Sequence, residues 1–430
     1  MTAPHLAPGS IGNARPASRG KPPLASVDFA RQPFLVIWET TQACDLACVH
    51  CRASATPNRD AGELQTTEAM RLIDEVRAFG EDGGVPPLFV LTGGDPLKRP
   101  DILPIVEYAA RSGVRVAMTP SGTPLMTPEV LERLRDAGLA RLAVSLDGAS
   151  REVHDAFRRV PGSFDWTMRM LRAARDLGLP TQINTTITRR TIGDLEAMSR
   201  IVADVGAVLW SVFLVVPTGR AQLEDLPDPE AIERAFEWLA RHAESAPHDV
   251  KSTAAPHYRR VLVQRQVAAR RTARAAGEEA APLHGGAGFA MAGDAHAMAA
   301  AGLPADVIGR AKGVNDGNGF VFVSHRGTIY PSGFLPEPCG NVRTQRLRDV
   351  YRDHPTFRAL RDTDLLKGKC GMCDFRNVCG GSRARAEAMT GDWLEADPLC
   401  AYEPPAWKKA VAAGEAEATA EYFARRLLPR

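Results

Sequence analysis

The sequence predicts an α/β protein, a parallel sheet flanked by helices with a small cysteine-rich module behind it. Three observations carry this. From Phe34 to about Glu244, short apolar runs alternate with amphipathic helical stretches six times in succession, the pattern of repeated strand–helix units. The eight cysteines fall into a group of three (44, 48, 51) and a group of four (370, 373, 379, 400), with Cys339 apart. Polar, glycine-bearing motifs follow the strands, where parallel sheets place their chemistry.

The expected strands are Leu35–Thr40, Leu88–Thr92, Val114–Met118, Leu142–Leu146, Thr181–Ile187 and Val208–Val215. The expected helices are Thr67–Phe79, Asp101–Arg111, Pro128–Ala137, Asp165–Leu177, Ile192–Val205 and Asp228–Ala243. Pro100-Asp101 and Thr127-Pro128 read as helix starts, and Gly113, Gly138 and Gly178 as stops. Such a run of units builds either an open doubly wound sheet or a partial barrel. Residues 1–30, rich in Pro, Gly, Ala and Arg, read as a mobile arm. Residues 260–315 form a Gly/Ala/Arg-rich insertion in which His284 and His296 are weak ligand candidates. Gly319–Ser324 and Thr328–Tyr330 read as a hairpin around His325-Arg326-Gly327. The last residues read as an amphipathic surface helix.

At 430 residues the chain exceeds the usual single-domain size, so two domains are expected. A net charge of +2 gives no reason to expect a nucleic acid as partner. No apolar run approaches the ~18 residues of a membrane span. The N-terminus lacks the apolar core of a signal peptide, so the expected location is the cytoplasm, where clustered cysteines are metal ligands more often than disulfides.

Cys44, Cys48 and Cys51 form a C-x3-C-x2-C run directly after the first strand. Three thiolates on one loop can hold three irons of a [4Fe–4S] cube, and with no fourth cysteine nearby one iron stays open. Structural zinc usually takes four protein ligands with paired C-x2-C spacings, and a disulfide leaves one of three thiols over. The second strand runs into Thr92-Gly93-Gly94-Asp95-Pro96. Its glycines permit close backbone approach and its acid can take a cationic amine, although an isolated G-G-D-P is ordinarily a plain turn. Ser121 follows the third strand; Ser145 and Asp147 end the fourth, a hydroxyl and a carboxylate suited to ribose. Arg158, in H-D-x-x-R, is a fixed cation suited to a carboxylate, or else part of a surface salt-bridge cluster. Cys370-x2-Cys373-x5-Cys379 with Cys400 can close a four-thiolate site, for which zinc is the plain alternative.

The triplet followed by G-G-D-P resembles the signature of the radical S-adenosylmethionine (SAM) enzymes. The resemblance implies a partial (β/α)6 TIM-like barrel and a SAM-binding [4Fe–4S] cluster on Cys44, Cys48 and Cys51. It further implies SAM contacts from Gly93, Gly94, Asp95, Pro96, Ser121, Ser145, Asp147 and Arg158, with Ile187 against the adenine ring. Asp95 departs from the family's glutamate. Cys370, Cys373, Cys379 and Cys400, with the following G-G-S-R-A-R-A, resemble the SPASM or twitch extension, which implies one auxiliary [4Fe–4S] cluster. The implied layout is an arm (1–30), a core barrel (31–245), a linker with insertion (246–318), the auxiliary-cluster domain (319–405) and a C-terminal helix (406–430).

Within the superfamily, A-P-H-Y-R at 255–259 and V-P-T-G-R at 216–220 resemble the branch that processes haem-type tetrapyrroles. That implies a radical oxidoreductase of tetrapyrrole side chains, with Arg220 and Arg259 pairing substrate carboxylates. Relatives with a second auxiliary cluster have cysteine where this chain has Ser332 and Ser382, and some have one at Ala254, so a second auxiliary cluster is expected to be missing and Cys339 to be a bystander. The implied partners are a flavodoxin- or ferredoxin-type reductant and a small-molecule or peptide substrate. A peptide maturase, a non-catalytic electron carrier and a zinc-stabilised module are the alternatives.

Overall fold

A computed structural model of the chain describes residues 27–81, 84–276 and 313–428. The arm before residue 27 and residues 277–312, with His284 and His296, lie outside the described residues. The strands are β1 (Leu35–Glu39), β2 (Leu88–Thr92), β3 (Val116–Met118), β4 (Arg141–Ser145), β5 (Thr181–Ile187), β6 (Leu209–Leu214) and β7 (Asp249–Thr253). They pair in parallel, in chain order. A doubly wound sheet reverses its order at a switch point; this one does not, so it is a singly wound partial barrel. At the near edge β8 (Phe320–Val323) pairs in parallel with β1, and β9 (Thr328–Tyr330) and β10 (Gly340–Asn341) continue antiparallel. The sheet therefore runs without a break across residues 245/246 and 318/319.

The connecting helices are α1 (Thr66–Ala78), α2 (Ile102–Arg111), α3 (Pro128–Asp136), α4 (Arg151–Arg158), α5 (Ser163–Asp176), α6 (Leu195–Asp204), α7 (Pro229–Ala243) and α8 (His257–Ala276). Apart from α4, these helices put residues into one core with the sheet, as with Leu72, Ile73 and Val76 of α1 and Leu131 and Leu134 of α3. Within the barrel, α4 and β7 were not expected. α4 has a polar sequence and is started by Ser150, whose hydroxyl accepts from Val153 N at 3.4 Å. β7 reads D-V-K-S-T and buries only Val250, so it offers no apolar run.

Alternation along the strands decides what reaches the barrel interior. In β5, Thr181, Ile183, Thr185 and Ile187 are buried, while Gln182, Asn184 and Thr186 are partly open on the other face. The sheet curls far enough that Phe322 of β8 and Phe213 of β6, six strands apart in the sheet order, line the same cavity.

The tail differs from the expected surface helix. It forms two short helices, Pro405–Ala412 and Thr419–Ala424, because Gly414 takes a left-handed conformation (φ +71°) and ends the first. Trp407, Tyr422 and Phe423 pack with Cys370 and Ala396, so the tail covers the C-terminal cysteine group.

Candidate active site

The three-cysteine loop leaves β1 over a rigid base. Arg99, fully buried beside the Trp38 ring, donates from Nη1 to Thr40 O (3.1 Å) and Leu64 O (3.0 Å). The G-G-D-P turn grips the loop from the other side: Gly94 N donates to Thr41 O and Asp95 N to Ala43 O, both at 2.7 Å. A Cβ on Gly94 would lie 2.3 Å from Ala43 O, so glycine is required for this approach.

Each of the three sulfurs has a donor aimed at it. Leu46 N donates to Cys44 Sγ at 3.3 Å, Arg158 Nη1 to Cys48 Sγ at 3.5 Å and Ala55 N to Cys51 Sγ at 3.4 Å. This is how a protein supports thiolate ligands of an iron–sulfur cluster. Burial pushes the Cys44 thiol up to about 11, so a metal centre bound there must displace its proton. All three cysteines line a cavity of about 260 Å³. Among the described residues no three His, Cys, Asp or Glu side chains are arranged to hold a single metal ion.

Around the thiols, Gly93, Gly94, Ser121, Ser145 and Arg158 line the cavity as the sequence suggested. Ser121 Oγ donates to Gly94 O (3.0 Å) and lies 3.2 Å from Cys44 Sγ. Two buried polar atoms without a protein partner, His50 Nδ1 and Arg158 Nε, belong to residues that line this space, and a polar ligand fits them. Burial holds the His50 and His154 rings down at about 4, so both are neutral.

Four residues expected to face SAM do not line the cavity. Asp95 is fully buried and accepts from Leu97 N (3.1 Å), Ser121 N (3.4 Å) and Thr123 Oγ1 (2.9 Å). Burial raises its carboxyl to about 6. It is the brace between the β2 and β3 tips, and Pro96 starts the turn behind it. Asp147 accepts from Thr186 N at 2.6 Å and pairs with Arg158, because β4 ends at Ser145 and strand alternation no longer applies. Ile187 lies on the outer face of β5 in the core, and Asn184 and Thr186 take the inward positions.

Arg220 and Arg259 also differ from expectation. Arg220 donates from Nε to Cys48 O (2.9 Å) and from Nη1 to Ala55 O (3.3 Å). Arg259 donates to Val378 O (2.7 Å), Val314 O (3.3 Å) and Cys379 O (3.4 Å). Both clamp cysteine loops, since a guanidinium fork satisfies several carbonyls at once. Sequence reasoning missed the aromatic part of the cavity lining, Phe213, Phe320, Phe322 and Phe334 with Arg52. The signal available was the inward alternation of β6 and β8.

The second cysteine group surrounds its own small cavity of about 20 Å³, lined by Cys370, Cys373, Cys379 and Cys400 with Arg260, Lys369 and Arg376. Phe375 N donates to Cys373 Sγ and Gly381 N to Cys379 Sγ, both at 3.4 Å. Burial pushes Cys379 to about 11 and Cys400 to about 12. A Cβ on Gly381 would lie 3.2 Å from Cys370 Sγ, inside the cradle.

A curled parallel sheet carrying three supported thiols at its C-terminal rim, beside a ligand-sized cavity, defines a cofactor-dependent barrel enzyme. The family model of the radical SAM superfamily matches residues 38–201. The AdoMet-dependent heme synthase of Methanosarcina barkeri is 40% identical over 88% of this chain and 99% of its own length. The mycofactocin maturase MftC of Mycobacterium ulcerans is 31% identical over 86% of this chain and 88% of its own. Among solved structures, Streptococcus suis SuiB bound to S-adenosylmethionine superposes with a TM-score of 0.62 at 15% identity, over 86% of this chain and 78% of that one. The chain belongs to the radical SAM superfamily. It is a radical SAM enzyme that uses a [4Fe–4S] cluster and SAM, and its chemistry needs a reductant and a substrate. No helix among the described residues is long and apolar enough to cross a membrane.

Proposed function

We propose that Cys44, Cys48 and Cys51 hold the SAM-binding cluster and that the enzyme oxidises a propionate-bearing, haem-type tetrapyrrole. The observation that carries the reading is that one cavity is lined both by the thiols with their polar neighbours and by four phenylalanines, Phe213, Phe320, Phe322 and Phe334, a lining suited to SAM and a planar macrocycle together. The name of the M. barkeri relative points the same way. The lower likeness to a mycofactocin maturase makes a peptide the second reading.

The reduced cluster, when bound, supplies the electron that cleaves SAM to methionine and a 5′-deoxyadenosyl radical. Gly93, Gly94, Ser121 and Ser145 present backbone and hydroxyl groups to SAM, and Arg158, held by Asp147, presents a cation to its carboxylate. The phenylalanine wall keeps water from the reacting carbon. Hydrogen abstraction from a propionate methylene gives 5′-deoxyadenosine and a carbon radical. Loss of CO2 and of one electron then leaves a vinyl group.

Cys370, Cys373, Cys379 and Cys400 would hold one auxiliary [4Fe–4S] cluster, which would supply an acceptor for that electron. The cations lining that cavity suit its negative charge. Absence of a second auxiliary cluster is supported by the packing at Ala254, which lies with Leu335, Leu360, Phe334 and Ala384 in an apolar cluster. Ser332 Oγ accepts from Phe334 N and Leu335 N, and Ser382 Oγ from Arg385 N. Cys339 is buried in the main core. A flavodoxin- or ferredoxin-type protein in the cytoplasm is the proposed reductant. The test is anaerobic incubation with SAM, dithionite and iron-coproporphyrin III. Faster 5′-deoxyadenosine release with loss of CO2 from the porphyrin is expected, and no binding at micromolar concentration would move the reading to a peptide.

A further inference from the structure

We propose that Arg52 is the substrate's carboxylate anchor, an inference that rests on the tetrapyrrole reading above. Arg52 follows Cys51 directly and lines the cavity where the cysteine loop meets the phenylalanine wall. Its guanidinium lies over the Phe322 ring, 4.5 Å from the centroid. Nη2 donates to the buried Glu39 carboxylate at 2.6 Å, and that carboxylate also takes His325 Nδ1 at 2.7 Å. Two basic groups thus share one buried acid. Nε and Nη1 of Arg52 have no acceptor among the described residues, and the side chain retains 21% exposure. Gly333 leaves room for it, since a Cβ there would sit 3.2 Å from Arg52 Cδ.

The other arginines beside the cysteine loop already hold protein partners, with only Arg158 Nε and Arg220 Nη2 left over. Arg158 serves Asp147 and Cys48, and Arg220 clamps the cysteine loop. A guanidinium fixed on one edge by Glu39 and on one face by Phe322 offers its remaining edge as a preorganised fork for a carboxylate. A propionate held there has its acid beside the loop of Cys51 and its ring against Phe322. The anchor therefore decides which side chain meets the radical.

The test is absorbance titration of anaerobic, cluster-loaded enzyme with iron-coproporphyrin III and, separately, its tetramethyl ester. The wild type is expected to prefer the acid by about tenfold or more. Arg52→Gln is expected to lose most of that preference. Arg52→Lys, which keeps a charge beside Glu39 but not the fork, is expected to fall between. Circular dichroism and iron content report that each variant is folded and loaded, and Arg52→Lys carries the test if the glutamine variant is not. Full acid preference in both variants would overturn the anchor and leave the function standing. Wild type that binds neither form would overturn both.

Discussion

His325 couples the hairpin to the barrel through charge. Burial works against its imidazolium, but hydrogen bonds and charges from Glu39 and Asp60 outweigh it and raise its pKa above 6.5. Burial likewise opposes ionisation of Glu39, yet Arg52 and His325 hold it below the usual carboxylate range. The imidazolium's contribution is full below the unfolded histidine value and is lost as pH rises through the higher folded value. Wild type is expected to exceed His325→Gln by about 1–3 kcal/mol near pH 6, with the gap closing as pH rises through the raised folded value. Urea titrations across that range check it, and a gap that widens with pH would contradict the pairing. Cys44→Ala, Cys48→Ala and Cys51→Ala are each expected to abolish SAM cleavage in a folded protein, read as absence of 5′-deoxyadenosine. At this scale the gathering of the three thiols on one cavity was legible in the sequence, because their spacing puts them on one loop. The places of Asp95, Asp147 and Ile187 were not, because the contacts of a buried carboxylate and the end of a strand are three-dimensional facts.

Two glycines fix the geometry of the cysteine loop. Gly94 abuts Ala43 O, and Gly219 (φ +64°) would place a Cβ 2.3 Å from Cys51 O. Overpacking against backbone costs about 1–3 kcal/mol. Gly94→Ala is therefore expected to lower iron loading at the first site while leaving the C-terminal site occupied. Mössbauer or iron analysis of this variant in a Cys370→Ala background, set against Cys370→Ala alone, would show it, and unchanged loading would remove the glycine's structural role. Elements with an apolar period were readable within a residue or two, as β2, β5 and α7 show. β7 was hidden by its polar edge position, and the tail's break at Gly414 by an alanine-rich sequence that reads as one helix.

Over the whole molecule, the barrel presents three thiols to an open cavity, and the C-terminal module encloses four beneath the packed tail. Reconstitution is expected to give about eight irons and eight sulfides per chain. A count near twelve would show that the apolar packing at Ala254, Leu335 and Ala384 gives way to a further cluster. Curvature was beyond the sequence: nothing in it brings Phe213 of β6 to Phe334, whose rings lie 6.5 Å apart. That closure joins the SAM rim to the aromatic wall, and the central claim is that hydrogen passes between the two. The direct measurement uses iron-coproporphyrin III deuterated at the propionate methylenes, incubated anaerobically with SAM and dithionite, with the 5′-deoxyadenosine analysed by mass spectrometry. Deuterium in the 5′-deoxyadenosine, with vinyl groups on the porphyrin, is the predicted result; unlabelled 5′-deoxyadenosine beside an unchanged porphyrin would contradict it.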